Sequence, residues 1–197
     1  MNDDNKKLFE LQTNELYASF GKFAVSFEAL CEKMSSTIAA FLHNGGLSHH
    51  NSKMADALLA GQTADPLLKI LTSFLAMVFP GEDDKKIISN YAKFVKELIE
   101  YRNNTIHRFW HIGYASVDDT DFSVTGGYKV VNTSEGPDFR YIKSTAKEFN
   151  LQASKASHLE KITFDIRFVH SLGRTLTSRY TIGNSEYGID IIIPPEV

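Results

Sequence analysis

Tyr91 to His111 reads YAKFVKELIEYRNNTIHRFWH, and the fold turns on how this stretch is built. At about 3.6 residues per turn, Ile87, Tyr91, Phe94, Val95, Leu98, Thr105 and Phe109 fall on one stripe, spaced three and four apart as a core-facing helix requires. Arg102 lies in the middle of that stripe. A guanidinium stays charged at any working pH, so it needs several hydrogen-bond acceptors or an anionic ligand if it leaves water. Asn103 and His107, four apart, share the opposite face, with Glu100 and His111 beside them. Arg102 and His107, five apart, point well away from each other on a straight helix. Bringing both to one small ligand takes a fraying helix end, an Arg side chain that reaches round, or a second copy of the helix; the last predicts a homodimer.

Upstream, Leu16, Phe20, Phe23, Phe27, Leu30, Met34, Ile38 and Phe41 recur at four and three, which predicts a first helix over Thr13 to His43, stopped by Asn44-Gly45-Gly46. Such a helix spans roughly 45 Å, enough to brace the molecule or line a dimer seam. Gly21 interrupts it at a modest cost. Glu28 and Glu32, one turn apart, are either solvated or support the Arg or His across the core. Ser52 caps a short helix through Leu59, ended by Gly61, and Asp65-Pro66 opens the next, with Asp as N-cap and Pro in the first turn. Leu67 to Phe79 is apolar enough to be buried on most sides or to pack on a partner subunit. Pro80-Gly81 ends it, and Glu82, Asp83 and Asp84 suit the positive N-terminus of the motif helix.

Downstream of Trp110 the pattern alternates. A strand closing at Val117, a tight hairpin in which Phe122 to Thr125 and Tyr128 to Val131 flank Gly126-Gly127, and strands at Phe139 to Lys143 and Phe149 to Leu151 predict a small antiparallel meander over 111–152. Ser134-Glu135-Gly136-Pro137 reads as a further turn. Ser157-His158-Leu159-Glu160 matches a capping box and opens the last helix, with a stripe of Ile162, Ile166, Val169, Leu172, Leu176 and Tyr180 and an end at Gly183. The tail, 184–197, carries Ile189 to Pro195, which adds a strand to the meander or fills a groove on a neighbour. The fold class expected is mainly α, one domain over 1–197 with the β insertion before the last helix.

Composition bounds the function classes. With 43% hydrophobic and 12% aromatic residues, 14 of them Phe, the chain has ample material for a core. No apolar run approaches the roughly 18 residues of a transmembrane helix, and MNDDNKKLFE has no signal-peptide layout. A soluble, cytoplasmic protein with no membrane partner is expected. Cys31, the only cysteine, excludes an internal disulfide and, on a predicted helix, reads as a buried inert thiol. His43, His49 and His50 lack the further ligands of a zinc site, and His107 and His111, four apart, would need a carboxylate from elsewhere to hold a metal, so neither metal nor cofactor is expected. Gly-rich phosphate loops, nucleophile elbows and internal repeats are absent.

The net charge of −3 argues against wrapping long duplex nucleic acid. Its distribution is uneven: residues 139–180 hold eight Lys or Arg against three acids, a local +5, whereas 111–138 hold five acids against Lys129 alone, a local −4. The basic stretch is either a solvated face or a surface for the phosphates of a short RNA. Arg108, His111, Lys143, Arg167 and Arg174 are the candidate substrate contacts. Tyr114, Tyr128 and Tyr141 either stack bases or simply pack within strands. The insertion itself closes over the site, chooses the substrate, decorates one edge, or docks a restraining protein.

Arg102-Asn103, three residues, then His107, near the end of a long helix in a mainly helical chain, resembles the R-x4-6-H motif of the HEPN superfamily (higher eukaryotes and prokaryotes nucleotide-binding domains). The resemblance implies a four- to five-helix bundle, homodimerisation that joins two motifs, and, as in many members, metal-independent endoribonuclease activity in toxin–antitoxin or anti-phage defence systems. It implies an RNA substrate and an antitoxin or defence-system partner protein. Some toxin members carry Tyr two residues after the His, where a partner nucleotidyltransferase modifies it; that place is Phe109 here. On this reading Arg102 binds the scissile phosphate, His107 exchanges a proton with the 2′-hydroxyl or the leaving oxygen, and Asn103 orients. Two other readings stand beside it: a non-catalytic nucleotide- or partner-binding module using the same residues, and a structural helical dimer with Arg102 in a buried salt bridge.

Overall fold

The first helix, α1, runs Asp3–Asn44, ten residues longer at its start than the apolar period predicts. Its stripe is as expected: Leu16, Phe23, Phe27, Leu30, Met34, Ile38 and Phe41 are buried and Phe20 is half-buried. The added turns carry exposed Leu8 and Leu11, so no periodicity marks them. A distant segment holds them instead: the Phe122 ring meets Phe9 edge-on at 5.1 Å, and the Phe122 N–H donates to Gln12 Oε1 at 2.9 Å. The structure, a computed structural model, describes residues 3–44, 49–111, 122–182 and 191–192. The expected strand end at Val117, Tyr114 and most of the tail lie outside the described residues.

Beyond α1 follow α2 (His49–Leu59), α3 (Ala64–Val78), the motif helix α4 (Glu82–Ile106), strands β1 (Phe109–His111), β2 (Val124–Thr133) and β3 (Gly136–Thr145), and α5 (Ala146–Ser171). The described residues are thus mainly helical, with five helices and a three-stranded antiparallel sheet, ordered β1-β2-β3, placed before the last helix. A 3-10 turn at Leu176–Ser178 and a two-stranded ribbon of β4 (Thr181–Ile182) and β5 (Ile191–Ile192) complete them. Ile191 and Ile192 of the tail therefore pair with β4, not with the meander.

The chain divides into two compact units, Met1–Val25 with Glu100–Ser154, and Ser26–Ile99 with Lys155–Val197. In the second, α1, α4 and α5 are joined through Thr163. Its hydroxyl donates to Leu159 O at 2.7 Å, so the Tyr91 hydroxyl, 2.6 Å away, is the donor to Thr163 Oγ1, while Thr37 Oγ1 donates to Thr163 O at 3.3 Å. Burial of Ile87, Tyr91, Phe94, Val95 and Leu98 realises the stripe of α4. Each such side chain contributes roughly 1.5–3 kcal/mol. Thr63, not Asp65, is the N-cap of α3, which buries Leu67, Leu68, Leu71 and Leu75 but leaves Met77 on an exposed face. Asp84, buried in the first turn of α4, accepts the Thr177 N–H at 3.1 Å.

Four sequence expectations change, among them the end of the last helix, which falls at Gly173 rather than Gly183. Gly126-Gly127 is not a hairpin turn: both lie inside β2, whose turn to β3 is Ser134–Glu135. Phe149 to Leu151 are helical, because α5 starts at Ala146. Its cap is the earlier match to the same pattern, Thr145-Ala146-Lys147-Glu148, where Thr145 Oγ1 accepts the Glu148 N–H at 3.2 Å and Ser144 Oγ donates to Glu148 Oε2 at 3.0 Å. Ser157 is consequently mid-helix. The helix closes at Gly173 (φ 64°), with Gly173 N–H to His170 O at 2.9 Å and Arg174 N–H to Val169 O at 3.0 Å, a Schellman end that leaves Leu172 exposed.

Candidate active site at the end of the motif helix

The last turn of α4 is Arg102-Asn103-Asn104-Thr105-Ile106, rich in residues that compete with or crowd a helix, and it ends at Ile106 with no glycine to cap it. Two side chains from beyond the end satisfy two of the carbonyls that a helix leaves open. Arg108 Nε donates to Asn104 O, and the Trp110 indole N–H donates to Thr105 O at 2.7 Å. Trp110 can reach back because β1 places it on the inner face of the sheet, against Phe20 at 6.2 Å and Phe149 at 5.7 Å, above Leu16 and Ala146. Phe109, the next residue along the expected stripe, is turned the other way and is 69% exposed, because the helix has already stopped.

His107, in the turn after the helix, is exposed, and Arg102 is half-buried. Arg102 Nη1 lies 3.1 Å from His107 Nε2 and 3.4 Å from Asn103 Oδ1, the latter at the long end for a hydrogen bond. All three expected catalytic side chains therefore meet within one chain, by the helix end and the reach of the Arg. A guanidinium only donates, so Nε2 of His107 is the acceptor and the ring carries its proton on Nδ1. The cations Arg102 and Arg108 also suit the negative end of the α4 dipole.

The expected substrate contacts divide. Arg108 is committed to backbone: besides Asn104 O, its Nη1 donates to Arg140 O at 2.6 Å, tying β3 to the motif turn. His111 and Lys143 stand opposite Gly126 from its two sides, in one row across the sheet. Arg167 and Arg174 belong to the other unit; the Arg167 guanidinium lies 5.0 Å from the Phe164 ring centroid, and Arg174 closes the end of α5 through its N–H. Glu100 is exposed beside the motif. Among the described residues no group of three or more His, Cys, Asp or Glu could hold a metal ion.

Tyr101, which the sequence did not single out, joins the motif helix to the sheet. Its hydroxyl is 3.4 Å from Ser144 Oγ, and its ring meets Phe23 edge-on at 5.1 Å. Burial pushes its phenol up to about 12. The signal available was its spacing: three residues after Leu98 and four before Thr105, Tyr101 falls on the same apolar stripe beside Arg102. No family model, curated protein or solved structure matches the chain.

Proposed function

We propose that this protein is a metal-independent endoribonuclease of the HEPN type, acting as a homodimer whose shared cleft takes Arg102, Asn103 and His107 from each subunit. The observation that carries the reading is the 3.1 Å contact between Arg102 Nη1 and His107 Nε2 at an accessible helix end. It joins a fixed cation to an imidazole held as a proton acceptor, which is what in-line attack by a ribose 2′-hydroxyl needs. RNA carries its own nucleophile, so DNA would be spared.

Binding of the scissile phosphate draws the Arg102 guanidinium onto its oxygens, where it stabilises the charge that builds in the transition state. Nε2 of His107, relieved of its partner, accepts the 2′-hydroxyl proton as the 2′-oxygen bonds to phosphorus and the bond to the 5′-oxygen breaks. The leaving oxygen needs a proton from a second group, and the twin His107, carrying a proton on Nε2 as well and so released from its own Arg102, is the natural donor; hence the dimer. The products are a 2′,3′-cyclic phosphate and a 5′-hydroxyl. A toxin–antitoxin or anti-phage setting rests on the motif resemblance.

The test is to incubate the protein with total RNA in excess chelator, beside His107→Ala and Arg102→Ala. The expected result is cleavage to cyclic-phosphate ends, reduced on the order of a hundredfold or more in each variant. Intact RNA with the wild type, together with nucleotide binding that Arg102→Ala abolishes, would instead establish a binding module.

A further inference from the structure

The sheet that follows the motif has two unlike faces. Trp110, Gly127 and Ile142, in register, form part of the inner one. The outer one carries Phe109, Tyr128 and Tyr141 in a single row across the three strands, and His111, Gly126 and Lys143 in the next. Phe109 and Tyr141 are 69% and 53% exposed, and Phe139 on the following row is 70% exposed. Strand aromatics on a buried face pack; these face outward.

Their arrangement is specific. The Phe109 and His111 rings each stack on Tyr128, with centroids 5.5 and 5.4 Å away and planes only 25° and 16° apart. Tyr141 crosses over Gly126, where a Cβ would come 2.8 Å from the ring carbons, so the glycine leaves room for that ring to lie across the strand. Flanking it are the Lys143 ammonium and the His111 imidazole, and none of the described strand positions on this face is acidic. Parallel aromatic rings with a cation, Lys143, alongside complement a strand of unpaired bases on a phosphate backbone. Arg108, hydrogen-bonded to both Asn104 O and Arg140 O, fixes this face against the Arg102–His107 turn.

We propose that the outer face of the sheet is a stacking platform for the unpaired bases of single-stranded RNA, with Tyr141 and Phe109 as base-stacking residues and Lys143 as a phosphate contact. It deepens the ribonuclease reading, and rests on it for RNA as the ligand. The platform selects single strands because paired bases keep their faces stacked on one another.

The test uses the full chain and a fluorescent 2′-O-methyl RNA of about ten nucleotides, within the span of such a surface; lacking a free 2′-hydroxyl it cannot be cleaved, so anisotropy reads binding alone. The single strand is expected to bind on the order of tenfold tighter than its duplex or an abasic strand. Tyr141→Ala weakens it roughly five- to a hundredfold, Tyr141→Phe keeps the ring and the affinity, and Lys143→Gln lowers the salt dependence. Equal affinity for the abasic strand, or no effect of Tyr141→Ala, overturns the proposal, as does a Tyr141→Ala effect on self-association alone. Tyr141-dependent binding without cleavage of unmodified RNA would remove the ribonuclease reading and leave the platform; cleavage without such binding would remove only the platform.

Discussion

Arg102 and His107 stand 3.1 Å apart, Nη1 to Nε2, although five residues of unbroken helix would set them about 140° apart around the axis. The helix stops between them. Because the guanidinium can only donate, the neutral His107 ring is held as the Nδ1–H tautomer. Long-range ¹H–¹⁵N correlation of the imidazoles at alkaline pH should show that tautomer for His107 and a shift toward the ordinary mixture in Arg102→Ala. A wild-type ring protonated on Nε2 would rule the contact out.

The two adjacent glycines of β2 answer to different neighbours. A Cβ on Gly127 would sit 2.9–3.0 Å from the Trp110 ring, which is pinned by Phe20, Phe149 and its bond to Thr105 O. A Cβ on Gly126 would meet the far end of exposed Tyr141, which can swing away. Gly127→Ala should therefore destabilise by about 1–3 kcal/mol in urea unfolding, and Gly126→Ala by clearly less. Equal costs would mean that Trp110 is not fixed as described.

Two stretches match the same helix-start pattern, and only one is used. Thr145→Ala removes the hydroxyl that accepts the Glu148 N–H and should cost about 1 kcal/mol. Ser157→Ala falls mid-helix, where its hydroxyl makes only a 3.4 Å contact with Ser26 Oγ, and should change stability by less than about 0.5 kcal/mol. The reverse order in chemical denaturation would place the start of α5 twelve residues further on.

Alkali should unfold the protein through its tyrosines. Burial raises the phenols of Tyr91, Tyr101 and Tyr180 above the ordinary 10.0, Tyr101 to about 12. A folded-state value above the unfolded one means that the native state holds the proton longer, so the stabilisation is whole below pH 10 and is lost as pH rises through the folded value. Stability by urea titration should decline from about pH 10 upward, and Tyr101→Phe should make the decline between pH 10 and 12 shallower. An unchanged slope would contradict the burial of that hydroxyl.

Much of the helical framework was legible in the sequence. Recurrence at three and four picked out the buried sides of α1 and α4 because one helix face must leave water whatever it packs against, and that requirement is written along the chain. The acids at the start of α4 and the turn at Ser134–Glu135 were equally local signals. Where the signal was local but ambiguous, the reading went astray. Gly-Gly is a turn dipeptide in isolation, yet here it is strand, since two rings from neighbouring strands need the space a side chain would take.

The sequence by itself determined that a long helix would carry Arg102 and Asn103 on its last turn. Only the tertiary structure decided that Arg102 and His107 touch. That depends on where α4 ends, and the end is set by Arg108 and Trp110 reaching back to its open carbonyls from a strand that the rest of the sheet and the Phe20–Phe149 cluster hold in place. A helix terminus without glycine or proline has no stop signal of its own; it stops where distant side chains supply the partners its last carbonyls need.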